Sequence, residues 1–333
     1  MRIGKHFKLG VIVRCDNSGL GIQSWEFCQH IKPWRIFVLR LNKFQEFPER
    51  FKNLGFFVHE GKVENLIKSE FLKDIHILLS FETFYDWSIV KVCRNKDIKT
   101  ILWANYEWLP EVLPYKPDLI LAPSSWNLNN FPSNTIFLPF PVNTAKCKFK
   151  VRRKAKRFLY IHGHGGVGGR NGWDILREAI PLVQSNVEFI IYSQFPLDVH
   201  FSTKKVFFRG HLLNYEDLYK EGDVLVFPRR YGGQSLVLNE AMVSGLPVIA
   251  IDCPPQNEFL HKDLLIKPEK ISTIKLKRLV KVYDILPQSL AKKIDEVAFR
   301  SVVKYSKLNY NYAMKISWKN LRAVIIDTLR SVL

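Results

Sequence analysis

The sequence predicts an α/β protein of two doubly wound halves, each a parallel sheet with helices on its faces. Three observations predict it. Short apolar runs rich in β-branched residues alternate with helically spaced stretches along most of the chain, the pattern of parallel strands joined by crossover helices. The length, 333 residues, suits two domains of ordinary size. The alternation stops once, at the proline-punctuated stretch Leu138–Val142 (LPFPV), and then begins again. The expected domains are therefore 1–145 and 146–310, with 311–333 as a closing helix.

In the first half, Leu9–Val13 is the opening strand. Behind it, in RCDNSGLGIQSWEFCQHI, Gly19 and Gly21 let a loop turn tightly before a helix from about Ile22 to Ile31. Further strands are expected at Ile36–Leu41, Ile75–Ser80, Thr100–Ala104 and Asp118–Ala122, with a helix over Tyr85–Arg94. Ligands of open parallel sheets lie beyond the carboxyl ends of the strands. That rule singles out FETFYD after Ser80 and NYEWLPE after Ala104. These loops offer Glu82, Asn105, Glu107 and Trp108. Glu107, flanked by Tyr106 and Trp108, is the first candidate for a general base and Glu82 the second. The plainer reading of either is a structural carboxylate paired with an arginine.

The second half opens with a strand over Arg157–His162, followed by the glycine-rich GHGGVGGRNG. A helix starts at Asn171 or Gly172, with Ile175, Leu176, Ala179 and Ile180 on one face, and Arg170 stands at its mouth. Strands are expected at Val187–Tyr192 and Val206–Phe208. Gly210, His211, Leu212 and Leu213 follow, then a helix over Tyr215–Lys220. Val224–Phe227 is a buried strand that Pro228 stops. Arg229, Arg230, Tyr231, Gly232 and Gly233 form a loop, and from Gln234 and Ser235 onward Leu236, Val237, Ala241 and Met242 keep helical spacing until Gly245 and Pro247. Val248–Ile251 is the next strand. A glycine loop ahead of a helix N-terminus is a ready anion site, and an arginine beside it suits a diphosphate. The alternative is a strand–helix–strand unit without a ligand. Leu276–Tyr283, Gln288–Tyr305 and Tyr310–Leu333 read as closing helices.

Composition narrows the function classes. Hydrophobic content of 47% against 24% charged residues places the chain among globular proteins. No apolar run reaches the length of a membrane span, and MRIGKHFKLGVIV lacks the features of a signal peptide. Five scattered cysteines without a Cys-x-x-Cys read as reduced core or surface residues of a cytosolic protein. His162 and His164 have no carboxylate at ligand spacing, so no metal is expected. The net charge is +19, and it is uneven: residues 1–145 hold 18 basic and 14 acidic residues, the remainder 32 and 17. Lys146–Arg157 (KCKFKVRRKAKR) has eight basic residues and no acidic one. Lys146, Lys148, Lys150, Arg152, Arg153 and Lys154, with Arg229 and Arg230, are candidate contacts to a nucleic-acid backbone or an anionic membrane surface. The Lys-, Asn-, Ile- and Phe-rich composition of an AT-rich genome would raise the charge without any such partner. Trp25, Trp87, Trp103, Trp108 and Trp126 could stack on a flipped base, or simply pack a core.

The stretch RRYGGQSLVLNEAMVSGLPV resembles the donor-binding segment of the family 4 glycosyltransferases (glycosyltransferase group 1), in which a Glu-x7-Glu pair precedes Ala-Met and Gly-x-Pro-Val. With GLGIQSWEF, NYEW, LPFPV and GHGGVGGRNG it is most similar to glycosyltransferases encoded by bacteriophages. The resemblance is good over residues 157 to about 267. It implies a GT-B fold, two Rossmann-like domains facing across a cleft, and a nucleotide-sugar donor, with a UDP-sugar first in line and no tightly bound cofactor. It assigns the ribose to Glu240, the diphosphate to Arg170 beside Asn171, and donor contacts to Gly19, Gly21, His211, Leu212, Gly232, Gly233, Gln234, Ser235 and Leu236. It also implies that the helix over 311–333 packs back on the first domain and that the protein works in the cytoplasm of a bacterial host cell. The first glutamate of the pair falls at Gly232 and is missing. Chemistry would be metal-independent and retaining, with cationic side chains on the departing diphosphate. Three functions stay open: transfer of a sugar to a hydroxymethylated pyrimidine in double-stranded DNA, extension of a lipid-linked or lipopolysaccharide glycan at the inner membrane face, and non-catalytic nucleic-acid binding on a decayed transferase fold.

Overall fold

The computed structural model describes residues 7–42, 45–163, 167–197, 201, 205–210, 212 and 215–333. The chain divides into two compact units: 1–141 with 275–278 and 318–333, and 142–274 with 279–317.

Among the described residues, the first unit is built on a seven-stranded parallel sheet in the order β3-β2-β1-β4-β5-β6-β7. The strands are β1 (Leu9–Arg14), β2 (Arg35–Leu39), β3 (Phe57–Gly61), β4 (Ile77–Phe81), β5 (Lys99–Trp103), β6 (Leu119–Ala122) and β7 (Thr135–Phe137). Central strands β1, β2, β4 and β6 are almost wholly buried, which is why they read as continuous apolar runs and not as alternating ones. One face packs Leu66, Phe71, Phe84, Ile89 and Val90 over Leu78, Leu102 and Ile120. On another, Phe27, Phe81, Trp103, Phe140 and Trp318 meet edge-on or stacked, and the Trp103 indole N–H donates to Leu138 O at 3.1 Å. Trp103 and Trp126 are buried, so these two rings serve packing. Helix α1 (Gly19–Ile31) begins three residues before the expected start. The two glycines therefore form its first turn, and the Ser18 hydroxyl caps it by accepting from Gly21 N–H at 3.2 Å. Helix α2 is Ser88–Asn95.

The second unit carries a six-stranded parallel sheet in the order β10-β9-β8-β11-β12-β13, with β8 (Arg157–Ile161), β9 (Glu188–Tyr192), β10 (Lys205–Arg209), β11 (Val224–Phe227), β12 (Val248–Ile251) and β13 (Leu265–Ile266). Helices α3 (Trp173–Ala179) and α5 (Pro287–Val297) pack one face through Ile175, Leu176, Leu290 and Ile294. Helices α4 (Leu236–Val243) and α6 (Val303–Lys315) pack the other through Leu238, Met242 and Ala313. Both sheets have the order of a dinucleotide-binding fold, reversing next to the first strand of each unit.

The C-terminal region departs from expectation. Leu276–Tyr283, read as a helix, lies in a hairpin of β14 (Lys270–Lys275) and β15 (Leu279–Asp284). The signal was present: Val280 and Val282 are buried and alternate with exposed Leu279 and Lys281, a period of two. Gln288–Tyr305 is two helices, because Phe299 takes a left-handed backbone (φ 59°) between α5 and α6. The last stretch is likewise split into α6 and α7 (Trp318–Arg330) by Ile316 and Ser317. Within the first unit, Trp318 stacks on His30 at 4.3 Å and Arg322 Nε donates to His30 O at 2.9 Å.

Candidate donor site

In the second sheet the strand order reverses between β8 and β11, and both glycine-rich loops leave the carboxyl ends of these two strands. The loops are tied to each other. Arg230 N–H donates to Arg170 O at 2.9 Å. The Tyr231 hydroxyl donates to Val167 O at 2.5 Å. Arg230 Nη1 reaches Gly169 O at 2.7 Å. Gly172, at φ +69°, packs on Pro228, and a Cβ there would stand 2.2 Å from Pro228 O. Glycine is needed at this position for both reasons. The result is one double loop at the crevice where open sheets of this kind bind ligands.

Arg230 has a structural task. Its guanidinium takes both oxygens of Asp174 at 2.7 and 2.6 Å and Asp284 at 2.6 Å. Burial works against the charge, but the two carboxylates overcome it and push the arginine pKa up. Asp174 moves the other way. Burial opposes its ionisation, and the hydrogen bonds and charge of Arg230 outweigh that, holding it below the usual carboxylate range. Arg229 is also buried, with Nε donating to Tyr231 O at 2.9 Å. Neither arginine is presented to a polyanion, which corrects their assignment as nucleic-acid contacts.

Several expected donor contacts are used internally. The Asn171 amide donates to His162 O at 2.6 Å, and Tyr160 Oη donates to Asn171 O at 3.2 Å. Burial lowers the His162 pKa. Ser235 is the N-cap of α4, its hydroxyl accepting from Leu238 N–H at 3.4 Å. The helix thus starts at Leu236, two residues later than the expected Gln234. Gly232 has φ +115°, and a Cβ there would lie 2.3 Å from Arg229 Nη2. A side chain there would be strained and would displace the Arg229 guanidinium. Gly233 and Gln234 complete the turn into the helix, and Leu212 packs on the core behind it. His164, His211 and Leu213 lie outside the described residues. Glu240 is buried in the middle of α4, and its carboxylate accepts from the Tyr219 hydroxyl at 2.5 Å. Arg170 is partly buried at the head of the loop.

The basic segment lies elsewhere. It leads into the amino end of β8, whereas the double loop leaves the carboxyl ends of β8 and β11. Lys150 N–H donates to Ser244 O at the carboxyl end of α4, and Lys154 and Ala155 bridge to Ser301 and Ala298. Lys148, Lys150, Arg153 and Lys154 are exposed and Lys146 is partly buried. Arg152 is buried, its guanidinium on Tyr219 O at 2.7 Å and Lys220 O at 3.3 Å. The segment is therefore part of the second unit, at the sheet end opposite the loops, and Arg152 leaves the set of candidate nucleic-acid contacts.

The first sheet reverses between β1 and β4. Glu82, just past β4, has φ 66° and accepts from Asn105 Nδ2 at 3.2 Å. Glu107 is buried in the short 3-10 turn Tyr106–Trp108, and its carbonyl accepts from Lys277 N–H at 3.2 Å. Sequence reasoning missed Arg14 and Asp16, which meet at 2.5 Å at the end of β1. Burial opposes the Arg14 charge, and Asp16, Tyr85 and Glu82 outweigh it, raising its pKa. The available signal was position: RCD directly follows the first strand, where a sheet of this order reverses. Gly21 serves this corner by close packing, since a Cβ would fall 2.0 Å from Asp16 O.

Solved structures share this architecture. The chain is similar to HepE from Anabaena, solved with UDP-glucose, at 13% identity, over 98% of this chain and 100% of that one, with a TM-score of 0.70. It is similar to sucrose-phosphate synthase from Thermosynechococcus elongatus at 12% identity, over 98% and 99%, with a TM-score of 0.67. The calicheamicin glycosyltransferase CalG4 matches at 9% identity over 98% of each chain, with a TM-score of 0.56. The fold is GT-B. Residues 157–297, which hold Arg170, the double loop and Glu240, match the family model described as Glycosyl transferases group 1. No curated protein matches the chain in sequence. Among the described residues, no cluster of His, Cys, Asp and Glu is arranged to hold a metal ion, and no helix is long and apolar enough to cross a membrane.

Proposed function

We propose that this chain is a nucleotide-sugar-dependent glycosyltransferase whose donor, a UDP-sugar, binds the double glycine loop. The observation that carries the reading is the joining of the two loops at the strand-order reversal of the second sheet, with Glu240 on the helix that follows. Glu240 accepts from the ribose hydroxyls. The diphosphate lies against the first turn of α4, where the first N–H groups of a helix have no partner within it, and Arg170 adds a charge-assisted bond. Those groups are fixed before the sugar leaves, so they stabilise the charge that builds on the diphosphate without reorganising. No metal takes part, and configuration is retained, the donor phosphate accepting the acceptor's proton. HepE, solved with UDP-glucose, supports the choice of nucleotide.

The test is calorimetric titration of UDP. Glu240→Ala and Arg170→Ala should each weaken binding by about 1–3 kcal/mol, the scale of a charged hydrogen bond. Unchanged affinity in both variants refutes the donor reading.

The acceptor in this reading is a hydroxymethylated pyrimidine in double-stranded DNA. Its support is the net charge of +19 and the exposed Lys148, Lys150, Arg153 and Lys154. These cations attract a polyanion over distance. They do not line the double loop. Neutralising the four should make the slope of log K against log salt shallower, by roughly 0.9 for each phosphate no longer neutralised. Incubation of UDP-sugars with modified DNA, read by the mass of released nucleosides, tests transfer itself. A protein that ignores DNA at low salt but binds anionic vesicles is the lipid-glycan enzyme instead.

A further inference from the structure

Two buried groups play no part in the donor reading, and they form a chain of contacts that ends on Glu240. Tyr219 is 1% exposed and ends the 3-10 turn Tyr215–Tyr219. Its hydroxyl donates to Glu240 Oε2 at 2.5 Å, within the buried interior of the second unit. Arg152 is 3% exposed. Its guanidinium takes the main-chain carbonyl of that same Tyr219 at 2.7 Å and of Lys220 at 3.3 Å. The cation thus sits on the carboxyl-terminal carbonyls of the turn, where positive charge is favourable. The backbone of Arg152 is anchored too. Its N–H donates to Ser306 Oγ at 3.0 Å, and Ser306 Oγ donates to Gly245 O at 2.6 Å, just beyond α4.

We propose that Tyr219 is a positioning residue for the nucleotide-binding carboxylate, and that Arg152 buttresses it. The inference rests on the reading of Glu240 as the ribose acceptor. A carboxylate on a flexible side chain has several rotamers, and only some present an oxygen to vicinal hydroxyls. A phenol donating to Oε2 selects one of them. The phenol takes one of the roughly four acceptor positions of an ionised carboxylate. Tyr219 is itself fixed by complete burial and by the Arg152 bond to its carbonyl. The order of action is Arg152 to Tyr219 to Glu240 to ribose. Arg152, one of eight basic residues in its segment, therefore acts inward on the donor site while its exposed neighbours face solvent.

The experiment compares UDP with 2′,3′-dideoxy-UDP, which lacks the hydroxyls, on the full chain by calorimetry. Tyr219→Phe should weaken UDP about tenfold, in line with loss of a bond to a charged group, and should leave dideoxy-UDP unchanged. In a Glu240→Ala background the same substitution should have no further effect on UDP, since coupled residues are not additive. Arg152→Lys, which keeps the charge and the stem, should give a smaller loss confined to UDP, and it stands in if Tyr219→Phe does not fold. Wild-type affinity for UDP in Tyr219→Phe overturns the proposal. So does an equal loss for both nucleotides, the sign of a merely structural role. A wild type that binds UDP no better than dideoxy-UDP, with Glu240→Ala silent, overturns the ribose reading first, and that outcome is distinct from a failure confined to Tyr219.

Discussion

Position 232 is occupied by glycine where the family 4 pattern has the first of two glutamates, and the backbone there disfavours any side chain. Its φ of +115° is costly for any residue with a Cβ, and that Cβ would stand 2.3 Å from the Arg229 guanidinium. Gly232→Glu should therefore destabilise the chain by about 2 kcal/mol or more, visible as a lower midpoint in urea. The Arg230–Asp174 pair makes a pH prediction. The folded-state pKa of Asp174 is depressed, so its contribution is present above the unfolded carboxylate value of about 3.9 and is lost as pH falls through the lower folded value. Thermal stability should be flat in this respect above about pH 5 and should fall below about pH 4, and Asp174→Asn should remove that share of the decline. Asp174 is half exposed, so solvent screening keeps the effect small.

At the scale of elements, the hairpin of β14 and β15 is the feature with the clearest consequence. Its tip, 275–278, belongs to the first unit. There the Arg278 guanidinium donates to Leu109 O, Asn130 O and Pro110 O at 2.9, 2.8 and 3.0 Å and lies over the Tyr106 ring. Two of these bonds hold the carboxyl end of the turn that carries Glu107. Arg278→Ala removes three hydrogen bonds to main-chain carbonyls and should cost about 2–4 kcal/mol in chemical denaturation. Helix α4 offers a milder test. Ser235→Ala loses the N-cap and should cost about 1 kcal/mol. Most elements were legible beforehand because each strand is a separate apolar run bounded by Pro, Gly or charge. β3 and β7 were not, since they are edge strands with exposed Phe57, Val58, Ile136 and Phe137 and no strong apolar period. The hairpin reads as helix in sequence because Leu276, Val280 and Tyr283 fall at helical spacing and mask the alternation of Val280 and Val282.

At the scale of the whole molecule, the residues assigned to the ribose and the diphosphate lie between 142 and 317, within one unit. Residues 142–317 expressed alone should bind UDP within about threefold of the full chain, as a domain with its own core; loss of all UDP binding by the folded fragment would show that the first unit supplies donor contacts.

The sequence by itself determined the strand–helix alternation, the two glycine loops, and the candidacy of Glu240 and Arg170, because apolar period and glycine before a helix are local signals. Tertiary structure alone decided what each cation does. Arg152, Arg153, Arg229 and Arg230 are indistinguishable as basic letters in a basic chain. Folding puts Arg153 at the surface, Arg152 on the carbonyl of Tyr219, Arg229 against Gly232, and Arg230 between Asp174 and Asp284. A guanidinium's role is set by which carbonyls and carboxylates it meets once buried. Asp284 is 54 residues from Arg230 and Asp174 is 56, separations at which no local pattern announces a partner.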